Sequence, residues 1–294
     1  MRDITVHTKL IPLLGMPLGH SYSIQLQNRI FEHENLDYLR IPVEVGPDDV
    51  GDIVNAFRHM NIAGITATKP NKIEIMNYLD EIDPLAQSIG AVNCSILKDG
   101  KLVGYNTDGL GFLKSLEENY SGILEEANFF CFGAGGAGRA ICVTLAAHGA
   151  KSIIINDCIE ESAVYLAEYI AQKFPGTKTG AAIDEGSVRS AISNASVIMN
   201  VSGVGMHPHL DMTPADRTYF HSGQVVFDAT YNPVKTKFLV EAEIAGCRVF
   251  NGKQMLAYCG MEGYRLLTGR EAPKEVWMQL LDEIASDSVK SSGA

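Results

Sequence analysis

Apolar runs of strand length recur at 10–14, 39–45, 62–68 and 92–97, and between them lie stretches of helical apolar spacing at 24–34, 48–60 and 72–79. This alternation predicts an α/β layer. Lys98-Asp99-Gly100-Lys101 is a hairpin turn, because Asp-Gly tolerates positive φ, so the strand at 92–97 is expected to return antiparallel through 102–105. The first sheet is therefore predicted to be mixed. After Asn106-Thr107-Asp108 the pattern restarts with a helix at 110–119 and an apolar strand at 129–132. Further strands are expected at 152–155, 181–183, 197–200, 225–227 and 248–250, each next to a helical stretch, which is a doubly wound pattern. Residues 254–285 show helical spacing and no new strand, and are expected to pack back onto the first domain; the polar tail 286–294 is expected to fray.

A chain of 294 residues suggests two domains. Its 24 Lys and Arg against 35 Asp and Glu leave a net charge of -11, which repels phosphate backbones and excludes nucleic acid as a partner. No run approaches the ~18 apolar residues of a spanning helix, and the start lacks the apolar stretch of a secretory signal, so neither a membrane nor export is expected and the cytoplasm is the predicted location. The six cysteines form no C-x-x-C pair and sit mostly in apolar runs, as reduced, buried cysteines do. Glycine is the outlier, with 28 residues.

Several of those glycines cluster in Gly133-Ala134-Gly135-Gly136-Ala137-Gly138, a G-x-G-x-x-G that follows a predicted strand and opens an apolar helix. In that context Gly133 permits the turn, Gly135 lets backbone approach a pyrophosphate, and Gly138 lets the helix pack on the strand, with the helix N-terminus facing the phosphates. A turn without a ligand is the weaker reading. Asp157 ends the next strand, about 20 residues on, where a carboxylate accepts ribose hydroxyls. With Glu160 and Glu161 beside it and no Lys or Arg between 152 and 172, the segment predicts NAD over NADP. Solvated acids at a helix start explain the two glutamates equally well, and strand-terminal Asp157 less well. This is a Rossmann-like NAD(P)-binding pattern.

Three polar clusters sit at loops beside predicted strands: Gly19-His20-Ser21-Tyr22-Ser23, residues 68–72 (Thr-Lys-Pro-Asn-Lys) and Asn106-Thr107-Asp108. Ligands bind at the carboxyl ends of strands in open α/β sheets, so these loops are expected to line one cleft. With them the chain resembles the shikimate/quinate dehydrogenase family. The resemblance runs through the serine-bearing segment at 15–31, a G-x-N-V-T-x-P-x-K-like stretch at 64–72, I-G-A-V-N at 89–93, G-x-N-T-D-x-x-G at 104–111, the glycine-rich loop, 200–206, Tyr231-Asn232-Pro233 and 252–256.

The resemblance implies reversible hydride transfer between a nicotinamide and a ring hydroxyl of shikimate, quinate or a close cyclic hydroxy acid, and hence a place in aromatic amino acid biosynthesis. Lys72 and Asp108 match the catalytic pair, in which Lys72 either takes the proton of the reacting hydroxyl or, charged, polarises the carbonyl. Ser21, Ser23 and the Tyr231 hydroxyl match contacts to the substrate carboxylate, and Thr68, Asn93 and Asp108 those to ring hydroxyls. The cofactor set is Gly133, Gly135, Gly136, Ala137, Gly138, Asn156, Asp157, Ser202, Met206 and Gly252. The expected organisation is a substrate-binding domain of residues 1–108 and 254–294, split by a dinucleotide-binding domain of residues 109–253. A homodimer is compatible with it.

Departures from the family pattern are Thr66 for Asn, Ile24 and Gln27 for Pro and His after the second serine, Asp157 for the usual Arg, and Cys259 for the substrate-binding Gln. Cys259 replaces an amide with a weak thiol donor, so an amino- or deoxy-relative of shikimate is the rival substrate, and a dinucleotide or metabolite sensor without turnover is the rival function. Met255 is read as helix packing and His20 as structural. His207 and His209, with Asp211, lack a third ligand of suitable spacing, so no metal is expected, and Ser202 lacks the G-x-S-x-G frame of a hydrolase.

Overall fold

The computed structural model describes residues 3–19 and 21–292; His20 lies outside them. Contacts divide the chain into one unit of residues 1–107 and 259–294 and another of residues 108–258.

The first unit contains β1 (Lys9–Gly15), α1 (Tyr22–His33), β2 (Tyr38–Glu44), α2 (Val50–Arg58), β3 (Gly64–Ala67), β4 (Glu81–Ile82), α3 (Pro84–Ile89), β5 (Cys94–Lys98) and β6 (Lys101–Tyr105). Its sheet runs β2-β1-β3-β5-β6-β4 and is mixed as expected: β1 is parallel to β2 and β3, whereas β5 is antiparallel to β3 and β6. Asp99 (φ 51°) and Gly100 (φ 78°) make the β5–β6 hairpin turn, two left-handed residues matching the strand twist. The expected helix at 72–79 is only a 3-10 segment, Glu74–Tyr78. Two elements were not anticipated, β4 and α3. Yet α3 carries ordinary end signals: the Asp83 carboxylate accepts from the amides of Leu85 and Ala86, and Pro84 occupies the first turn.

The second unit holds α4 (Asp108–Asn119), β7 (Asn128–Phe132), α5 (Gly136–Ala147), β8 (Ser152–Asn156), α6 (Glu160–Lys173), β9 (Lys178–Ala181), α7 (Glu185–Asn194), β10 (Val197–Asn200), β11 (Val225–Asp228), α8 (Lys237–Ile244) and β12 (Arg248–Asn251). Its sheet is parallel throughout, in the order β12-β11-β10-β7-β8-β9. That is the doubly wound order, whose direction reverses between β7 and β10. Fully buried Phe130, Ile198, Val226 and Phe238 occupy the core on one face, and short, fully buried strands such as Val197–Asn200 follow from coverage on both faces. The strand expected at 181–183 sits earlier, at Lys178–Ala181, because pairing with β8 overrides the turn-like Thr179-Gly180. The β10–β11 connection carries no α-helix, only a 3-10 turn at Arg217–Tyr219, contrary to the expected alternation.

Two helices complete the chain, α9 (Gly252–Thr268) and α10 (Lys274–Ser292), and the division between units falls inside α9. The tail expected to fray is helical to Ser292, with Ser286 Oγ donating to the Asp282 carbonyl. From Cys259 onward these helices group with the first unit. Phe31 of α1 stacks at 6.4 Å from Tyr264 of α9, and Tyr264 meets Trp277 of α10 edge-on at 5.8 Å. Trp277 is fully buried against Gly260, whose missing side chain makes room for the indole. Trp277→Ala should cost about 3–5 kcal/mol in chemical denaturation. A cost within 0.5 kcal/mol would remove α10 from the core.

Candidate active site

The mixed sheet decides which loops share an edge. Because β5 runs antiparallel to β3, its first residue lies at the sheet edge where β1 and β3 end, and β6 ends there too. Thr68, immediately beyond β3, donates its amide to the Leu14 carbonyl at 2.8 Å, and the Ala67 amide reaches the Asn93 carbonyl at 3.0 Å. Asn93 in turn donates through Nδ2 to Thr107 Oγ1 (3.0 Å) and accepts the Thr107 amide at Oδ1 (2.9 Å). Thr68, Asn93 and the Thr107 step before Asp108 are thus joined by local bonds. Lys72 is half-buried, and its carbonyl accepts the Val92 amide at 2.8 Å, which fixes the lysine-bearing loop beside Asn93.

Ser21 is the N-cap of α1, and its Oγ lies 2.8 Å from Ser23 Oγ, so the two expected carboxylate contacts form one hydroxyl pair at a helix N-terminus. The loop leading to it is tied down where sequence reasoning saw nothing: Glu44 at the end of β2 accepts the Leu18 amide at 2.7 Å. Two departures have structural explanations. Thr66 donates to the Pro12 carbonyl at 3.0 Å inside the sheet, and Gln27 accepts the Arg40 guanidinium at 2.6 Å. Asp108 opens α4 in the second unit, and half-buried Cys259 lies on α9 in the first. Met255 is buried, in keeping with a packing role.

In the second unit, Gly133 adopts φ +107°, closed to most side chains, and a Cβ there would lie 2.8 Å from the Ser202 amide nitrogen. A Cβ at Gly138 would overlap the Gly133 carbonyl oxygen. The loops after β7 and β10 therefore meet backbone to backbone at the reversal point of the sheet. Gly135 and Gly136 are exposed with open space about them, and Gly135 caps α5 without a side-chain bond. Unfilled room over a helix N-terminus fits a dinucleotide pyrophosphate. Ala137, Asn156 and Asp157 border the same loop. Asp157 Oδ2 accepts the Ala134 amide at 2.6 Å and Oδ1 the Ile159 amide at 2.9 Å, while Asn156 Nδ2 is spent on the Ala182 carbonyl at 2.8 Å. Asn156 thus serves the fold, and Asp157 holds the glycine loop with lone pairs left for a ribose.

The loop at 201–206 is organised by a buried network that sequence reasoning missed. Asn200 Oδ1 accepts Ser202 Oγ at 2.6 Å, and its Nδ2 donates to Asp228 Oδ2 at 2.9 Å and to the Val204 carbonyl at 3.0 Å. Asp228 is 1% exposed and also accepts Thr236 Oγ1 at 2.7 Å and the Thr230 amide at 2.9 Å. Burial pushes its carboxyl up against those hydrogen bonds. An Asp closing an apolar strand just before Tyr231 was the available signal. Met206 is exposed in this loop, Tyr231 is half-buried just after β11, and Gly252 starts α9 where a Cβ would overlap the Ala229 carbonyl. Among the described residues, no group of three or more His, Cys, Asp or Glu is placed to hold a metal ion.

The sequence pattern of the shikimate dehydrogenase substrate binding domain matches residues 13–95. A Bacillus cereus shikimate dehydrogenase (NADP(+)) is 38% identical over 93% of this chain and 97% of its own. The chain belongs to the shikimate dehydrogenase family. A shikimate 5-dehydrogenase from Listeria monocytogenes, in complex with shikimate and NAD, superimposes with a TM-score of 0.90 at 34% identity, covering 96% of this chain and 99% of that one. A 5-ketofructose reductase of Gluconobacter superimposes at 0.85 and 29% identity, covering 94% and 99%. The α/β fold, with its mixed sheet and Rossmann-like parallel sheet, and an NAD(P)-dependent oxidoreductase of the shikimate dehydrogenase type follow from this membership. No helix among the described residues is long and apolar enough to cross a membrane.

Asp157 carries a pH prediction within this family framework. Burial raises its carboxyl, but the Ala134 and Ile159 amides more than offset that and hold it below the ordinary range. A depressed folded-state value stabilises the fold above the unfolded value of about 3.9 and is lost as pH falls through the folded one. Asp157→Asn should therefore lower stability at neutral pH and narrow its gap to the parent below about pH 4. A gap constant from pH 7 to pH 2 contradicts the assignment.

Proposed function

We propose that this shikimate dehydrogenase family member oxidises one ring hydroxyl of shikimate, quinate or a close cyclic hydroxy acid, reversibly, with NAD preferred to NADP. The observation that carries the reading is the placement of Lys72, Thr68 and Asn93 in hydrogen-bonded loops at one edge of the mixed sheet, with the Ser21–Ser23 pair beyond β1. Bound at the Gly133–Gly138 loop, the nicotinamide dinucleotide supplies the hydride acceptor or donor.

The residues of the chain do the rest. The hydroxyls of Ser21, Ser23 and Tyr231 orient the acid by its carboxylate, and Thr68 and Asn93 read the ring hydroxyls. An alcohol that loses hydride must also lose a proton. Lys72 Nζ takes that proton in oxidation and returns it in reduction. Cys259 offers the ring only a weak thiol donor. The cofactor preference rests on Asp157 with Glu160 and Glu161, which would face a 2′-phosphate with carboxylates, although curated relatives are named for NADP(+). Arg139, a nearby cation, has its guanidinium over the Tyr169 and Tyr165 rings at 4.9 and 5.7 Å.

A rate matrix of shikimate, quinate, an amino-relative and 5-ketofructose against NAD and NADP tests the reading. Turnover should be confined to cyclic acids, and Lys72→Ala should lower kcat about 10²–10⁴-fold with acid binding nearly intact. Undiminished kcat in Lys72→Ala removes the proposed role, and absence of turnover with ligand binding retained supports a sensor. Separately, Asp157→Arg should raise the NADP:NAD ratio of kcat/KM at least tenfold; an unchanged ratio leaves the NAD preference without a basis.

A further inference from the structure

Arg40 sits in β2, the edge strand of the first sheet, and is 5% exposed. Its backbone is clamped by one α1 side chain, Asn28, which accepts the Arg40 amide at 2.8 Å and donates to its carbonyl at 2.9 Å. Its guanidinium makes a different kind of contact. Nη1 donates to Gln27 Oε1 at 2.6 Å, Nε has no hydrogen-bond partner, and among the described residues no carboxylate pairs with it. The ionisable neighbours that act on this cluster do not cancel the charge. Cys94 is a buried thiol pushed up to about 12 by burial, hence neutral, and Glu262, which acts on Cys94, is gripped by the Arg265 guanidinium at 2.6 and 3.0 Å. Burial lowers Arg40 to about 10, which still leaves it protonated at neutral pH.

A buried charge without a counter-ion is costly, and a buried cation in an ordinary core would be paired. This one lies under a helix whose N-terminus carries the Ser21–Ser23 hydroxyl pair. Ser23 and Gln27 are four residues apart on α1, hence on one face about 6 Å apart, with the Arg40 guanidinium next to Gln27. The departure from the family's His at position 27 fits this arrangement, since an amide oxygen can accept from a guanidinium.

We propose that Arg40 is a specificity-determining residue for the anionic substrate: its uncompensated buried charge, set one helical turn behind the Ser21–Ser23 pair, favours a carboxylate over a neutral group there. The inference rests on the functional reading above, in which those hydroxyls receive the acid. They supply directed hydrogen bonds but no charge, and the buried cation behind them supplies the missing attraction. At an effective dielectric near 20, an attraction between unit charges about 12 Å apart corresponds to roughly tenfold in affinity.

The test compares KM for shikimate with KM for its uncharged methyl ester in the parent, Arg40→Met and Gln27→Glu. Gln27→Glu keeps the size of the side chain and gives Arg40 a carboxylate, so it neutralises the charge even if Arg40→Met folds poorly. Both variants should raise KM for the acid about tenfold and leave KM for the ester within about twofold. A purely structural role for Arg40 predicts equal changes for acid and ester, and that result, or no change in either, overturns the inference while the functional reading stands. If the parent turns over neither compound, both fall together.

Discussion

The chemistry of this chain depends on loops that approach one another backbone to backbone at the carboxyl ends of strands. Gly133 and Gly138 have no room for a side chain because the Ser202 amide and the Gly133 carbonyl occupy that space. In the first unit the same closeness comes from strand direction. Reversal of β5 brings Asn93 to the edge where β3 ends, and the β5–β6 hairpin returns the chain there to reach Thr107. Strand direction and missing side chains thus place the loops that carry the proposed site residues.

Polar groups buried behind the loops perform the fine positioning. Asn200 and Asp228 tie the loops after β10 and β11 together, and Asp157 bonds the glycine turn that it follows in space. Each is a carboxylate or amide held by backbone, hydroxyl or amide groups rather than by a cation, so these loops are fixed by directed hydrogen bonds. Arg40 is the exception. It has no carboxylate partner among the described residues and lies behind Gln27, one helical turn from the Ser21–Ser23 pair.

Much of this was legible in the sequence. The strand, glycine turn and helix over 128–147 and the Asp-Gly hairpin are local signals, and the structure has both elements. What failed was decided at longer range. Pairing with β8 made a strand of Lys178–Ala181 despite its turn-like centre. The Asn200–Asp228 and Gln27–Arg40 pairs were invisible because partners 28 and 13 residues apart meet only through strand order and helix packing. Cys259 and Thr66 were visible as departures. The structure separates them, with Thr66 answering a buried carbonyl in the sheet.

The central claim is that a hydrogen leaves a ring carbon of the acid as hydride. The most direct measurement uses shikimate carrying deuterium on the carbon of the reacting hydroxyl, incubated with the purified chain and NAD, with the reduced dinucleotide weighed by mass spectrometry. The account predicts one deuterium per reduced nicotinamide and a slowed rate relative to the unlabelled acid. Reduced dinucleotide without the label, or labelled acid recovered unchanged, would contradict it.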